Sequence, residues 1–359
     1  MKKESRRVCS ICGNQFSGAM GFCPVCMFRK ALVGAVETEE APSMLLYSAL
    51  TRQFQYSLVT DKLTATMQIA QRVYSLAQEQ NDSALMIGAN RCLAVTFYYL
   101  GDFESARRHA KQGIQIWRSG GVQSRVEEVT APAVTCLVYE ALCEWHFGEI
   151  SSCKASMVEG IALAKELNDM HALAVALWHS GWLASFESNC SEVERCASDL
   201  IELSTRQSFA YWLAGGEVHR GWARSASGDT TEGISWIEKG IDEYRATGSM
   251  LLVPHLLALK AEALFVADRT AEALETIREA EALVEKSAER SSSAELHRLR
   301  GIFLARIGAE ETKIENSFRA AMSTAREQNS VSLVKRAEAS YAEYRHEKAR
   351  SSPIRPWPL

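Results

Sequence analysis

The chain of 359 residues lacks a long hydrophobic segment. No uncharged apolar run reaches the roughly 18 residues that a membrane-spanning helix needs. The amino terminus, Met-Lys-Lys-Glu-Ser-Arg-Arg, does not have the pattern of a secretory signal peptide. We therefore predict a cytoplasmic protein that is neither secreted nor inserted in a membrane.

A strong excess of charge of one sign is also missing. The formal net charge is −4, so the molecule as a whole is not an electrostatic trap for nucleic acid. Hydrophobic residues make up 47% of the chain, which is enough for a continuous core. These values favour a soluble protein with more than one domain.

The motifs of nucleotide-using enzymes are absent. There is no G-x-x-x-x-G-K-[ST] phosphate loop, no glycine-rich kinase loop with its lysine strand, and no His-Arg-Asp or Asp-Phe-Gly segment. Six cysteines between Cys92 and Cys196 have no paired ligand spacing and are interpreted as small apolar core residues. We predict that the protein is not an enzyme.

Small residues recur every 40 residues along the last two-thirds of the chain. One series is Ala141, Gly181, Gly221, Ala261 and Gly301, and turn residues repeat at Gly148, Ser188, Gly228, Asp268 and Gly308. A fixed period of this length is typical of stacked repeats, in which each unit buries its apolar face against its neighbours. Small residues at equivalent positions let helix axes cross closely.

Each repeat has the pattern of two antiparallel helices. Apolar residues from Thr270 to Glu289 recur at steps of three and four, as in an amphipathic helix. The predicted fold is all-α, a tetratricopeptide-like α-solenoid of about seven helix pairs over residues 44–350. An acidic linker at 31–43 precedes it and a proline-containing tail at 351–359 follows it.

Two Cys-x-x-Cys pairs lie near the amino terminus, at Cys9 and Cys12 and at Cys23 and Cys26. Four thiolates at this spacing can surround Zn²⁺ as a tetrahedron, so we predict a zinc ribbon over residues 1–30. A redox dithiol site or disulfides are the competing interpretations, but the segment is too short for a thioredoxin-like unit. Metal binding would supply most of the folding free energy of so small a unit.

The sequence resembles known families in both parts. The ribbon, with Cys-Ser-Ile-Cys-Gly-Asn and Cys-Pro-Val-Cys-Met, resembles the zinc ribbon that precedes the catalytic domain of some bacterial serine/threonine kinases. Residues 82–345, with segments such as Phe209-Ala-Tyr-Trp-Leu-Ala and Tyr244-Arg-Ala-Thr-Gly, resemble the tetratricopeptide-like carboxy-terminal region of bacterial adenylate/guanylate cyclases and related signalling ATPases. The resemblance implies recruitment or regulation, since the catalytic domains of these families are absent.

Two sets of residues are candidates for contact with a partner. Tryptophans on the first helices of the repeats, among them Trp178, Trp182 and Trp222, could anchor a partner or fill the core. The basic residues Arg220, Lys260 and Arg300 repeat at the 40-residue step. They could form a ladder for an acidic or phosphorylated peptide, or be ordinary solvated charges.

These features predict a non-enzymatic adaptor or regulatory module of bacterial signalling that binds a protein or peptide on the array. A kinase or cyclase component is one candidate partner. The alternative is a nucleic-acid-binding transcriptional regulator that uses the ribbon, because residues 1–30 hold six basic residues and one acidic residue. Nucleic acid is the less favoured partner, since terminal basic charge is more often solubilising.

Overall fold

The computed structural model describes residues 7–8, 15–16, 42–60, 62–120 and 130–351. Near the amino terminus, strand β1 (Arg7–Val8) pairs antiparallel with β2 (Gln15–Phe16). In this register Arg7 lies opposite Phe16 and Val8 lies opposite Gln15. The predicted zinc ligands Cys9, Cys12, Cys23 and Cys26 lie outside the described residues.

Fifteen helices occupy the described part of the chain from residue 42 onward, as seven antiparallel pairs and a final helix. They are α1 (Pro42–Val59), α2 (Leu63–Gln80), α3 (Ser83–Tyr99), α4 (Phe103–Gly120), α5 (Pro132–His146), α6 (Ile150–Glu166), α7 (Met170–Phe186), α8 (Cys190–Gln207), α9 (Ala210–Ala226), α10 (Thr230–Ala246), α11 (Val253–Val266), α12 (Thr270–Lys286), α13 (Ser293–Arg306), α14 (Glu311–Glu327) and α15 (Val331–Ser351). The predicted all-α architecture of about seven helix pairs is confirmed.

The turns inside the pairs explain the sequence period. All five predicted turn residues, Gly148, Ser188, Gly228, Asp268 and Gly308, have a positive φ. At the first of them, the N–H of Gly148 donates to the carbonyl of Trp145 at 3.0 Å, and the N–H of Glu149 donates to Glu144 at 2.8 Å. This pair of bonds satisfies the last carbonyls of a helix and needs a left-handed residue, which glycine adopts without strain.

The small residues lie where helices cross. A Cβ atom added to Gly221 on α9 would lie 2.5 Å from the carbonyl oxygen of Gly233 on α10. One added to Gly301 on α13 would lie 2.9 Å from the Phe318 ring on α14. These separations are shorter than van der Waals contact, so the close approach of the helices depends on the missing side chains.

The first helices of the pairs form an inner layer and the second helices an outer layer. Each odd-numbered helix contacts the next odd-numbered one along the array. Accordingly α7 buries residues around its whole circumference, whereas α8 is amphipathic and buries one face. Within the described ranges, no helix combines the length and apolarity that a membrane crossing requires.

The array winds tightly enough for later units to return to earlier ones. The backbone N–H of Met250 donates to the carbonyl of Val59 at 2.9 Å, and that of Arg290 donates to Tyr99 at 2.7 Å. Further along, His146 on α5 bonds the Ser330 hydroxyl at 2.8 Å. These contacts close the inside of the superhelix into a bounded space.

Candidate functional site

A cavity of about 340 Å³ lies inside the superhelix, and we call it the inner cavity. Helices α1, α3, α5 and α7, the start of α9 and the segment before α11 surround it. Its polar lining residues are Gln55, Arg91, Tyr99, Thr130, Thr135, Tyr139, His171, His179, Tyr211, Thr247 and Ser249. A concave site of this size, apolar with a few placed polar groups, is typical of a ligand-binding site.

One buried basic side chain lies at the wall of the inner cavity. Arg91 is the one lining residue with a permanent charge, and no aspartate or glutamate lines the cavity among the residues described. The side chain lies on α3, where Arg91 is 5% exposed and its guanidinium packs over the Phe54 ring at 5.4 Å. Arg91 therefore presents a buried guanidinium at the cavity wall.

Two lining histidines have assigned proton positions. The indole N–H of Trp212 can only donate, and it lies 3.1 Å from His171 Nε2, so the proton of His171 is on Nδ1. His179 Nδ1 lies 2.7 Å from the Val175 carbonyl, so this nitrogen donates and Nε2 is an acceptor. Neither His171 Nδ1 nor His179 Nε2 has a hydrogen-bond partner within the described structure.

Burial keeps both histidines neutral. It lowers the pKa of His171, with a further lowering by the charge of Arg91 that nearby Asp169 opposes. Burial lowers the pKa of His179 to about 4, although its bond to the Val175 carbonyl acts the other way. The cavity thus offers one N–H donor and one nitrogen acceptor at neutral pH.

Two tyrosines add a hydroxyl donor. The hydroxyls of Tyr139 and Tyr99 are 2.9 Å apart, and both side chains are buried. Burial raises the pKa of both groups, so both keep their protons. Because one proton serves the bond between them, the other is left for an acceptor in the cavity.

Comparison with known proteins shows what this architecture is similar to. No family model matches the chain. In sequence, the uncharacterized protein R02095 of Rhizobium meliloti (strain 1021) is 23% identical over 276 residues, which are 76% of this chain and 27% of that protein. The chain therefore spans about a quarter of the length of that relative.

Solved structures agree more closely in shape. A Rap protein complexed with Competence and Sporulation Factor has a TM-score of 0.58 and 12% identity, over 91% of this chain and 92% of that one. NprR in complex with its cognate peptide NprX has a TM-score of 0.56 and 10% identity, over 91% of this chain and 94% of that one. These similarities show a shared fold.

The tryptophans predicted as partner anchors are buried. Trp178 and Trp182 are each 1% exposed, and they stack on His219 at 4.1 Å and His255 at 4.4 Å between ring centres. Neither lines the inner cavity. Direct contact with a partner would require the core to open, so the alternative interpretation, that they fill the core, fits this structure.

Trp222 lies in a different place, at the wall of a second cavity of about 220 Å³. Its indole N–H donates to Glu262 Oε2 at 2.8 Å, and the rings of Phe265 and Phe303 complete an aromatic lining. Trp222 is 6% exposed. We call this second cavity the Trp222 pocket.

The basic ladder has intramolecular partners. Each member forms an ion pair with a glutamate on the preceding second helix. The pairs are Arg220 with Glu194 at 3.4 Å, Lys260 with Glu238 at 2.9 Å, and Arg300 with Glu281 at 3.2 Å. None of the three basic residues lines the inner cavity. The three basic residues lie on successive first helices, and their charges bridge these helices to the preceding second helices.

Sequence reasoning missed the residues of the inner cavity, although the period contained the signal. Lining residues recur at the same 40-residue step, as in Tyr99, Tyr139 and His179, and in His171, Tyr211 and Leu251. Polar residues that recur at the repeat step on the most apolar helices therefore indicate the lining of an internal cavity.

Proposed function

We propose that the protein is a non-enzymatic regulator that binds a linear peptide, or an extended segment of a protein partner, in the inner cavity. The observation that carries this proposal is the arrangement of the first helices around a buried space with unsatisfied donors and acceptors. Buried polar groups are normally hydrogen-bonded, so an occupant that satisfies them would stabilise the complex.

The shape of the site supports a peptide. The cavity volume is large enough for a few side chains. The lining combines apolar walls with separate hydrogen-bond donors and an acceptor, which can pair with the C=O and N–H groups of a peptide main chain. The fold is shared with NprR, whose structure contains its cognate peptide. The inner helices are packed on both sides and form a rigid frame, which limits the entropy lost on binding.

The test uses a variant that blocks the cavity mouth. Ala210 lines the cavity, is exposed and begins α9, so Ala210→Trp adds bulk without disturbing the core. Ala271, exposed in the first turn of α12, provides the matched control Ala271→Trp. Peptides selected from a random linear library on the wild type should bind Ala271→Trp equally well and lose binding to Ala210→Trp. Equal binding to all three proteins would refute the proposal.

We further propose that Cys9, Cys12, Cys23 and Cys26 hold Zn²⁺ in a ribbon joined to this array. The pairing of β1 with β2 supports it, because Cys9 and Cys12 fall in the connection between the two strands. Zinc would act there as a structural ion that ties two knuckles together. We also propose that a kinase or cyclase component is the partner and that the protein is cytoplasmic.

A further inference from the structure

We infer that the inner end of the inner cavity binds a neutral side chain of the peptide that both donates and accepts a hydrogen bond, which is either a hydroxyl or a carboxamide. We call this end, formed by Tyr99, Tyr139 and His179, the cavity floor. The inference rests on the proposed peptide-binding function and names the ligand group. Three features of the floor support it: its depth, its available hydrogen-bonding groups and its neutral charge.

The cavity floor lies deep in the structure. Its residues are at most 4% exposed, whereas Ala210 at the mouth is exposed. The mouth adjoins His171, because the ring of Phe209, next to Ala210, packs on the His171 ring at 5.4 Å between ring centres. His179 lies two turns further along α7, which corresponds to a rise of about 12 Å. A ligand group at the floor is therefore removed from water and depends on the floor for its hydrogen bonds.

The cavity floor has one donor and one acceptor for a ligand. The hydroxyls of Tyr99 and Tyr139 are 2.9 Å apart, and neither has another side-chain partner among the residues described, so one of their two protons is available. His179 Nδ1 donates to the Val175 carbonyl at 2.7 Å, which leaves Nε2 as an acceptor without a partner in the described structure. The ring centres of Tyr139 and His179 are 5.3 Å apart, so the two groups adjoin.

The cavity floor is also uncharged. Burial raises the pKa of Tyr99 and Tyr139 and lowers the pKa of His179 to about 4, so all three side chains are neutral at pH 7. Arg91 lies two turns before Tyr99 on α3, about 12 Å along the helix, and takes no part in the floor. An ionised carboxylate cannot donate to His179 Nε2, and an ammonium group cannot accept from the tyrosine pair. A hydroxyl and a carboxamide each do both.

The experiment compares four pools of synthetic peptides that differ at one position. Every peptide has acetylated and amidated ends, random apolar residues elsewhere and the same polyethylene glycol tail for solubility. The variable position holds serine, threonine or tyrosine in the first pool, asparagine or glutamine in the second, alanine, valine or phenylalanine in the third, and aspartate or glutamate in the fourth. Retention of each pool by the full-length protein is measured by affinity selection and mass spectrometry.

The cost of an unpaired buried group sets the expected preference. An apolar side chain at the floor displaces the water that would pair with the tyrosine hydroxyl and His179, and it leaves both groups without a partner. A carboxylate pairs with the hydroxyl but leaves His179 Nε2 without a donor. We therefore expect the first or the second pool to be retained at least about tenfold better than the third and the fourth.

Variants assign the preference to the cavity floor. His179→Phe removes the acceptor and should reduce the preference over the acidic pool, whereas the double variant Tyr99→Phe, Tyr139→Phe removes the donor and should reduce the preference over the apolar pool. The controls His219→Phe and Tyr98→Phe make the same changes in buried residues that do not line the cavity, and they should leave both preferences intact. Circular dichroism confirms that each variant is folded, and either floor variant keeps the test decisive if the other does not fold.

The outcomes separate this inference from the proposed function. Preference for the first pool identifies a hydroxyl, and preference for the second identifies a carboxamide. Equal retention of all four pools that Ala210→Trp abolishes would overturn the inference and leave peptide binding in place, as would a preference for the third or the fourth pool. Retention of none of the pools would overturn both. A preference that neither floor variant changes, or that the control variants reduce equally, would also contradict the inference.

Discussion

Acid should unfold the array through buried histidines. His146, His179, His219 and His255 lie on successive first helices, and each is at most 4% exposed. Burial lowers the pKa of His146 and His255 to about 3 and that of His179 to about 4. It also lowers the pKa of His219 well below its ordinary value, and His255 and His179 add to this effect.

The sign and size of the effect follow from proton uptake. An unfolded histidine titrates near 6.5, so below this pH the unfolded state binds protons that the folded state excludes. The stability that the neutral histidines contribute is fully present above pH 6.5, and it is lost as the pH falls towards their pKa values in the folded state. At pH 5 the unfolded pKa of 6.5 limits the loss to about 2 kcal/mol for each histidine, so His146, His179 and His255 together lower the free energy of unfolding by up to about 6 kcal/mol, and His219 acts in the same direction. This loss is comparable to the total stability of many domains.

Buried and partly buried carboxyl groups oppose this loss only in part. Burial raises the pKa of Glu140, Glu144 and Glu262, so the folded protein takes up protons at these groups more readily as the pH falls. This uptake stabilises the folded state between the unfolded and folded pKa values. We therefore expect the free energy of unfolding to fall between pH 6 and pH 5, but less steeply than the histidines alone would cause.

One variant isolates a single histidine. His219 stacks on Trp178 and neither ring nitrogen has a hydrogen-bond partner in the described structure, so His219→Phe keeps the ring contact and removes the titration. Denaturant unfolding at pH 7.5 and pH 5 should show less acid destabilisation than in the wild type, by at most about 2 kcal/mol, the limit that the unfolded pKa sets. His346→Gln, at an exposed position of α15, is the control and should change nothing. An unchanged pH dependence in His219→Phe would refute the reasoning.

Three further predictions concern the frame. Gly160→Ala should stabilise the protein by up to about 1 kcal/mol, because the nearest atom to the added methyl group is 3.4 Å away. Gly221→Ala should destabilise it by about 1–3 kcal/mol, because the added methyl group would overlap the neighbouring helix. Denaturant midpoints in the reverse order would contradict the 40-residue repeat register. Purified protein should contain one zinc ion per chain, and chelation should leave the helical circular dichroism nearly intact; full zinc occupancy in Cys23→Ser would count against the ribbon. Replacing Arg220, Lys260 and Arg300 by glutamate should lower the melting temperature, because it breaks three ion pairs of roughly 0–1 kcal/mol each. Peptide binding should be unchanged. Loss of binding at normal stability would instead indicate that these three residues contact the ligand.

The repeat architecture was predictable because its causes are local. A left-handed turn at Gly148 and a close helix crossing at Gly221 each demand a particular residue type, and the demand recurs in every unit. The partners of the side chains were not predictable in the same way. Whether Lys260 faces a ligand or Glu238 depends on the rotation of one helix against its neighbour, which the period does not determine.

The inner cavity depends on contacts between distant units. The bond from Met250 to Val59 and the bond from Arg290 to Tyr99 join residues far apart in sequence, and they arise from the small rotation added at each repeat. A sequence period shows that units stack, but the accumulated rotation decides which first helices face each other. For this reason the sequence left open whether Trp178 lines a groove or fills the core, and in the structure it is buried.

The central claim is that a peptide occupies the inside of the superhelix. The most direct measurement is a crystal structure of the full-length protein with a peptide selected on it. We expect peptide density within the inner cavity, in contact with helices α3, α5 and α7. Density on the outer layer of second helices, or in the Trp222 pocket, would contradict the proposed function.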